Sequence, residues 1–440
     1  MSDAPRAAAR DAGTRSKFRR ILGESTSSSR RSSWALWALL GPGVLATLAN
    51  NDAGGVVAYA VTGAQFGIGL FVPLVLCLAP LTFTIQEMAT RLGAVTQEGF
   101  SRLALRRYGR FWGYYHVTTL ALENLLTLVT EFIGMTAGLV LLGMPLWLAA
   151  ASCLVLVVAF VALTGYWTKE RVALLIGALN GVFLVVAAAV HPSVTRIEHA
   201  LVAWNLPAVG RASVVWYVIA TVGNAIAPWM IFFQGSGTID KGVTSRELRL
   251  GRIDAAIGCF VQVVVAASVI VCGAALFGRV GDVAGAGPTD IISALGRVAG
   301  WWPATLFGVG LFDAGFLAAI TVSLSSSWSI AELFGWAKSL DDRITDAPLF
   351  YAAYVASLTI AALIVLLPRL PLNFVAVVAQ VIGGVLMTPL LIFMVLMTSD
   401  EALMGEHRTS LPARLWGWTM VAGLVGLTIA MGWSTCCGRP

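Results

Sequence analysis

Residues 41 to 67 read GPGVLATLANNDAGGVVAYAVTGAQFG, and the fold of the whole chain turns on this stretch. It is apolar over a length that crosses a bilayer, yet its middle is Asn50-Asn51-Asp52-Ala53-Gly54-Gly55. A carboxylate at membrane depth is costly unless water, a partner or a cation meets it. Two adjacent glycines have no Cβ and a high backbone entropy cost in a helix. They mark a point where the helix can unwind and offer its carbonyls and amides. An unwound acidic midpoint in a membrane helix is one way to build a cation site.

The rest of the chain agrees with a membrane setting. Its 440 residues are 58% hydrophobic and 12% charged, with a mean hydropathy of +0.82, which excludes a soluble domain of this size. The net charge of +6 is not gathered on a basic face, so no nucleic-acid partner is expected. Six cysteines, Cys77, Cys153, Cys259, Cys272 and the pair Cys436-Cys437, show neither CxxC spacing nor clustering with histidine. Neither a zinc site nor a disulfide framework is indicated, and the terminal pair is read as a plain tail in preference to a palmitoylation site. Residues 1–33, rich in Arg and Ser, read as a disordered cytoplasmic tail, followed by a transmembrane domain over 34–440.

Apolar segments fall at about 34–60, 65–90, 111–142, 144–165, 172–190, 214–235, 253–278, 303–334, 348–367, 370–397 and 415–433. The expectation is an all-α polytopic membrane protein with eleven transmembrane helices, the third and eighth long enough to tilt or project. With the N-terminus inside, the inner side holds 23 Lys and Arg and the outer side 6. That bias places the N-terminus in the cytoplasm and the C-terminus outside, in a multi-pass protein of the cell membrane.

A second break is expected in the sixth segment, VGNAIAPWMIFFQGS from Val222 to Ser236. There Pro228 removes a helix donor one turn after Gly223 and Asn224. Segments one and six stand five apart. Their breaks correspond if spans 1–5 and 6–10 are inverted repeats, which puts a binding site on the pseudo-twofold axis.

Together these features resemble the NRAMP family of divalent metal transporters. The matching motifs are Gly41-Pro42-Gly43, Asp52-Ala53-Gly54-Gly55 and Gly63-Ala64-Gln65-Phe66-Gly67 in span one, Arg91-Leu92-Gly93 after span two, and Glu131-Phe132-Ile133-Gly134 in span three. Further along come Arg252-Ile253-Asp254, Gly310-Leu311, Ala314-Gly315, Gln380 and Thr398-Ser399-Asp400. The resemblance covers residues 34 to 410 and implies a LeuT-like inverted repeat with broken helices 1 and 6 and alternating access. Typical members hold a transition metal with an Asp and an Asn of span one, a backbone carbonyl and a Met sulfur of span six. Here Asp52 is kept, but Gly55 stands where the Asn would be and Ala227 where the Met would be. Losing the thioether removes discrimination against hard cations. The remaining expected donors are the Asp52 carboxylate, the Ala49 and Asn224 carbonyls, the Asn224 amide and the Gln380 amide. Gly55 and Ala227 are expected to leave room for ligand waters, which suits Mg²⁺. The pattern looks like the NRAMP-related magnesium transporter branch.

Proton-coupled relatives carry a His directly after the span-six Pro and an acid one turn before the span-three Glu. Here Trp229 and Leu128 occupy those positions and do not titrate near neutral pH. Uptake of Mg²⁺, and also Mn²⁺, without obligatory proton coupling is therefore expected. The alternatives are a proton-coupled Mn²⁺/Fe²⁺ importer and a Na⁺-coupled amino-acid carrier on the same fold, whose substrate carboxylate Asp52 would repel.

Blander readings stand beside these. Asp52 can be a buried acid met by a neighbouring helix end, Asn224 a helix cap, and Gln380 a bridge between helices. Glu131 is expected to form a structural ion pair or line the inner vestibule, and Asp313 to line an aqueous path. Arg91, Arg252 and Asp254 are expected to act as gate or anchoring contacts. No HExxH pair or GxSxG elbow occurs, so catalysis has no foothold. No cofactor is expected, and a monomer in the bilayer suffices.

Overall fold

The computed structural model describes residues 41–161, 163, 165–205, 211–279, 287–340, 342–367 and 372–437. The tail assigned to 1–33 and the side chains of Cys436-Cys437 lie outside this description. The described residues form helices and connecting turns, with no strand among them. Among the described residues, nine helices are long and apolar enough to cross a membrane. The shorter Leu146–Val161 and the interrupted pair α1 (Pro42–Ala49) and α2 (Ala53–Phe66) complete the expected eleven spans.

The elements that build the site are α3 (Arg110–Leu141, span three), α4 (Arg211–Ala225) and α5 (Pro228–Asp240) of span six, α6 (Leu248–Ala274, span seven), α7 (Trp301–Phe334, span eight) and α8 (Leu372–Ser399, span ten). The expected break in span one falls at Asn50–Asp52, and that in span six between Ala225 and Pro228. Pro228 opens α5 at its first turn, where the missing N–H costs nothing, and Ala227 precedes it in extended conformation.

The contacts obey the inverted repeat. Span seven packs along α2, and span two (Phe71–Thr96) packs in the matching way along α5. Spans three and eight, equivalent in the two halves, form the most extensive helix pair. The α2/α6 contact is close because two glycines face it. A Cβ on Gly63 would stand 2.1 Å from the Ile270 carbonyl oxygen, and one on Gly273 2.0 Å from that of Ala60.

Hydropathy misplaces several boundaries: span one runs on to Phe66 instead of 60, and span two covers Phe71–Thr96 instead of 65–90. Span five starts at Tyr166 instead of 172, and the span-seven helix at Leu248 instead of 253. In span five the reason is that Lys169 and Glu170 are buried inside the helix and satisfied there, while in span seven the helix simply runs on through the exposed Arg249 and Arg252. Lys241 and Glu170 form an ion pair at 3.1 Å with both side chains inaccessible. A paired charge does not end a helix as a solvated one would.

Candidate functional site: the crossing of the two broken helices

Asp52 is the N-cap of α2, its backbone extended and its side-chain Oδ1 accepting the Gly55 N–H. Gln380 of α8 donates its amide to the same oxygen at 3.4 Å. From α3, Glu131 Oε2 accepts the Ala53 N–H at 2.8 Å, so two carboxylates meet the first turn of α2. That turn presents unsatisfied N–H groups and the positive end of the helix dipole, which is why acids gather there. Glu131 therefore has a backbone partner, and the expected ion pair is not what holds it.

The break in span six faces this acid. Asn50 Nδ2 donates to the Asn224 carbonyl, tying the two interruptions together across the pseudo-twofold. The next carbonyl, Ala225, accepts from Gln262 Nε2 at 3.0 Å and Thr82 Oγ1 at 3.3 Å. Both oxygen and nitrogen of the Asn224 amide are buried without a hydrogen-bond partner among the described residues. Asn224 does not cap the second half-helix, whose N-cap is Ala227. A Cβ on Gly55 would lie 2.1 Å from Asn224 Oδ1, so the space beside Gly55 is filled by this amide and is not left for water. On the other side, a Cβ on Gly54 would collide with Thr130 of α3 at 2.3 Å and approach Gln380 Nε2 at 3.2 Å.

Of the residues singled out in the sequence, Asp52, Gly55, Asn224 and Gln380 are thus brought together, with Ala49 at the end of α1 and Ala227 at the head of α5. All six are buried. Sequence reasoning noted Asn50 only as part of the polar midpoint and missed Thr82, Thr130 and Gln262, whose signal was a polar side chain in an otherwise apolar span. Asp313 is buried with Oδ2 unpartnered among the described residues, and nothing in the structure explains it. The boundary residues do anchor. Arg91 donates to the His407 carbonyl and pairs with Glu87, which also binds Arg252.

Two interrupted helices crossing at a buried acid, inside a pair of inverted repeats, define a LeuT-fold membrane transporter. The model of the natural resistance-associated macrophage protein-like (Nramp) family matches residues 43–434, and the chain belongs to this family of divalent metal transporters. It is a carrier and not an enzyme, and the metal it moves is cargo, with no cofactor.

Similar proteins include the divalent metal cation transporter MntH of Aeromonas hydrophila, 24% identical over 404 residues (88% of this chain, 94% of the relative). MntH of Pediococcus pentosaceus is 25% identical over 417 residues, covering 90% and 91%. The manganese transporter of Eremococcus coleocola, solved with an aromatic bis-isothiourea compound, shares the fold at a TM-score of 0.74 and 20% identity, covering 90% of this chain and 86% of that one. MhsT, solved with L-phenylalanine, aligns at a TM-score of 0.56 and 15% identity, covering 89% and 98%.

Proposed function

We propose that this transporter carries Mg²⁺, with Mn²⁺ as a second substrate, inward across the cell membrane without obligatory proton symport. The observation that carries the reading is the donor set at the crossing. The Asp52 carboxylate and the Asn224 and Gln380 amides converge there, while Ala227 offers only a methyl where the family resemblance puts a thioether. Oxygen donors suit hard cations, and Mg²⁺ in particular is held through few protein ligands and its own waters. The likeness to the manganese transporter of Eremococcus coleocola supports Mn²⁺ as a co-substrate.

The uncoupled mode is supported by Trp229 and Leu128, both fully buried at positions where coupled relatives carry titratable groups. A divalent cation entering a negative cell gains about 4.6 kcal/mol per 100 mV, enough to drive accumulation alone. The Lys/Arg bias supports a cytoplasmic N-terminus, with residues 1–33 as a tail and 34–440 as the transport domain, working as a monomer.

The test is uptake into proteoliposomes under a clamped potential, with a pH dye inside. Mg²⁺ and Mn²⁺ entry without acidification, lost in Asp52→Ala, is the expected result. Acidification that tracks metal entry would replace the proposal with the coupled Mn²⁺/Fe²⁺ importer. Undiminished flux in Asp52→Ala would remove the site.

A further inference from the structure

The mechanism so far leaves one buried acid of α3 unused. Glu123 is 3% exposed. Its Oε1 accepts the Thr127 hydroxyl at 3.1 Å, and its Oε2 has no hydrogen-bond partner among the described residues. A Cβ on Gly383 would stand 3.4 Å from Glu123 Oε1 and 3.6 Å from Pro228 Cδ. The carboxylate therefore lies where α3, the head of α5 and α8 meet. Further along α3 toward Arg110, His116 is also buried with Nε2 unpartnered, and it lines a small void with Pro228, Phe232, Leu386 and Leu390.

Position along the helices relates this acid to the crossing. Gln380 touches Asp52, and Gly383, three residues on and about 4.5 Å along α8, faces Glu123. On α3, Glu123 precedes Glu131 by eight residues, about 12 Å toward the Arg110 end. The Lys/Arg bias assigns that end to the cytoplasm. The described residues contain no group of three or more His, Cys, Asp or Glu that could hold one ion, so Glu123 is not part of a polynuclear centre with Asp52 and Glu131. A carboxylate kept in a dry interior without a cationic partner needs another reason to be there.

We propose that Glu123 is a second, transient cation position on the inner side of the crossing. It receives the partly hydrated divalent ion from Asp52 and lowers the barrier to its release into the cytoplasm. The inference rests on the reading of Asp52 as the cation ligand. A charge placed along the exit changes the rate of passage more than the affinity of the first site.

The test uses the full chain in proteoliposomes, with Mn²⁺ and Mg²⁺ as the ions, and calorimetry on the purified protein. Glu123→Gln keeps the shape and the acceptor for Thr127 but removes the charge. Its maximal uptake rate is expected to fall about tenfold, with KM and the calorimetric Kd within about threefold of wild type. Glu123→Asp should recover much of the rate. Thr127→Val, which deletes the same hydrogen bond and leaves the charge, should keep at least about half of it.

Wild-type flux in Glu123→Gln would make the acid a structural acceptor and overturn the proposal. Equal losses in Thr127→Val and Glu123→Gln would do the same, by assigning the effect to the hydrogen bond. Loss of binding together with flux in Glu123→Gln would merge it with the Asp52 site and also overturn it. Asp52→Ala, measured alongside, reports on the crossing itself, and its failure would be distinct from each of these.

Discussion

Asp254 Oδ2 accepts the backbone N–H of Gly43 at 2.7 Å, while Oδ1 accepts those of Gly41 at 2.8 Å and Val44 at 3.2 Å. One carboxylate of span seven thus closes the whole first turn of α1. Gly41 and Gly43 permit it, since a Cβ on Gly43 would lie 2.7 Å from Asp254 Oδ2. The acid sits at the positive end of the α1 dipole and serves as its N-cap from another helix. Asp254→Asn replaces an acceptor-only group with an amide and leaves a buried N–H unmatched. It should cost about 1–3 kcal/mol, seen as a lower apparent Tm and slower uptake.

The Lys241–Glu170 pair lies beside this junction, with the Lys241 ammonium over the Trp167 ring at 5.2 Å. Lys241→Met alone strands a buried carboxylate and should cost about 3–5 kcal/mol in thermal unfolding. Lys241→Met combined with Glu170→Gln should regain more than half of the loss. Additive losses in the double variant would show that the two groups do not act as a pair.

Gly273→Ala drives a methyl into the Ala60 carbonyl across the α2/α6 seam and should destabilise by about 1–3 kcal/mol or more. Gly181→Ala, where an added Cβ meets nothing within 4 Å, is the matched control and should be near neutral. Thermal melts of the two purified variants make the comparison.

Gly55→Ala would push against the Asn224 amide, a side chain that can turn aside. The expected outcome is therefore a small change in Tm but uptake reduced about tenfold. Unchanged uptake would show that the orientation of the Asn224 amide is dispensable.

Ala227→Met restores a thioether at the head of α5 and should shift preference toward Mn²⁺ or Cd²⁺ at the expense of Mg²⁺. Competition uptake assays measure the ratio. Unchanged selectivity would assign the choice to pocket size.

Much of this architecture was legible because bilayer spans announce themselves. Apolar length and Pro228 are local signals that led to the right elements, whereas Gly54-Gly55 drew attention to the break in span one but themselves lie in the first turn of α2, just beyond it. What stayed hidden depends on partners distant in sequence. That Asp254 caps α1 lies in no local pattern, since it joins residues 211 positions apart. Lys169 and Glu170 read as a helix boundary because a sequence does not display their burial or the pairing of Glu170 with Lys241. The same holds for Gly55, whose small size suggested room for water until Asn224 was seen to occupy it.

Both hydrogen bonds of Asp52 fall on Oδ1, from Gly55 and Gln380. On the proposed reading, an incoming ion is then gripped one-toothed, through the opposite edge of the carboxylate. Calcium favours carboxylates that chelate with both oxygens and many neighbours besides, whereas magnesium accepts a single one and keeps its hydration shell. Exclusion of calcium would follow from the way a half-helix is terminated, before any lining residue weighs the size of the ion.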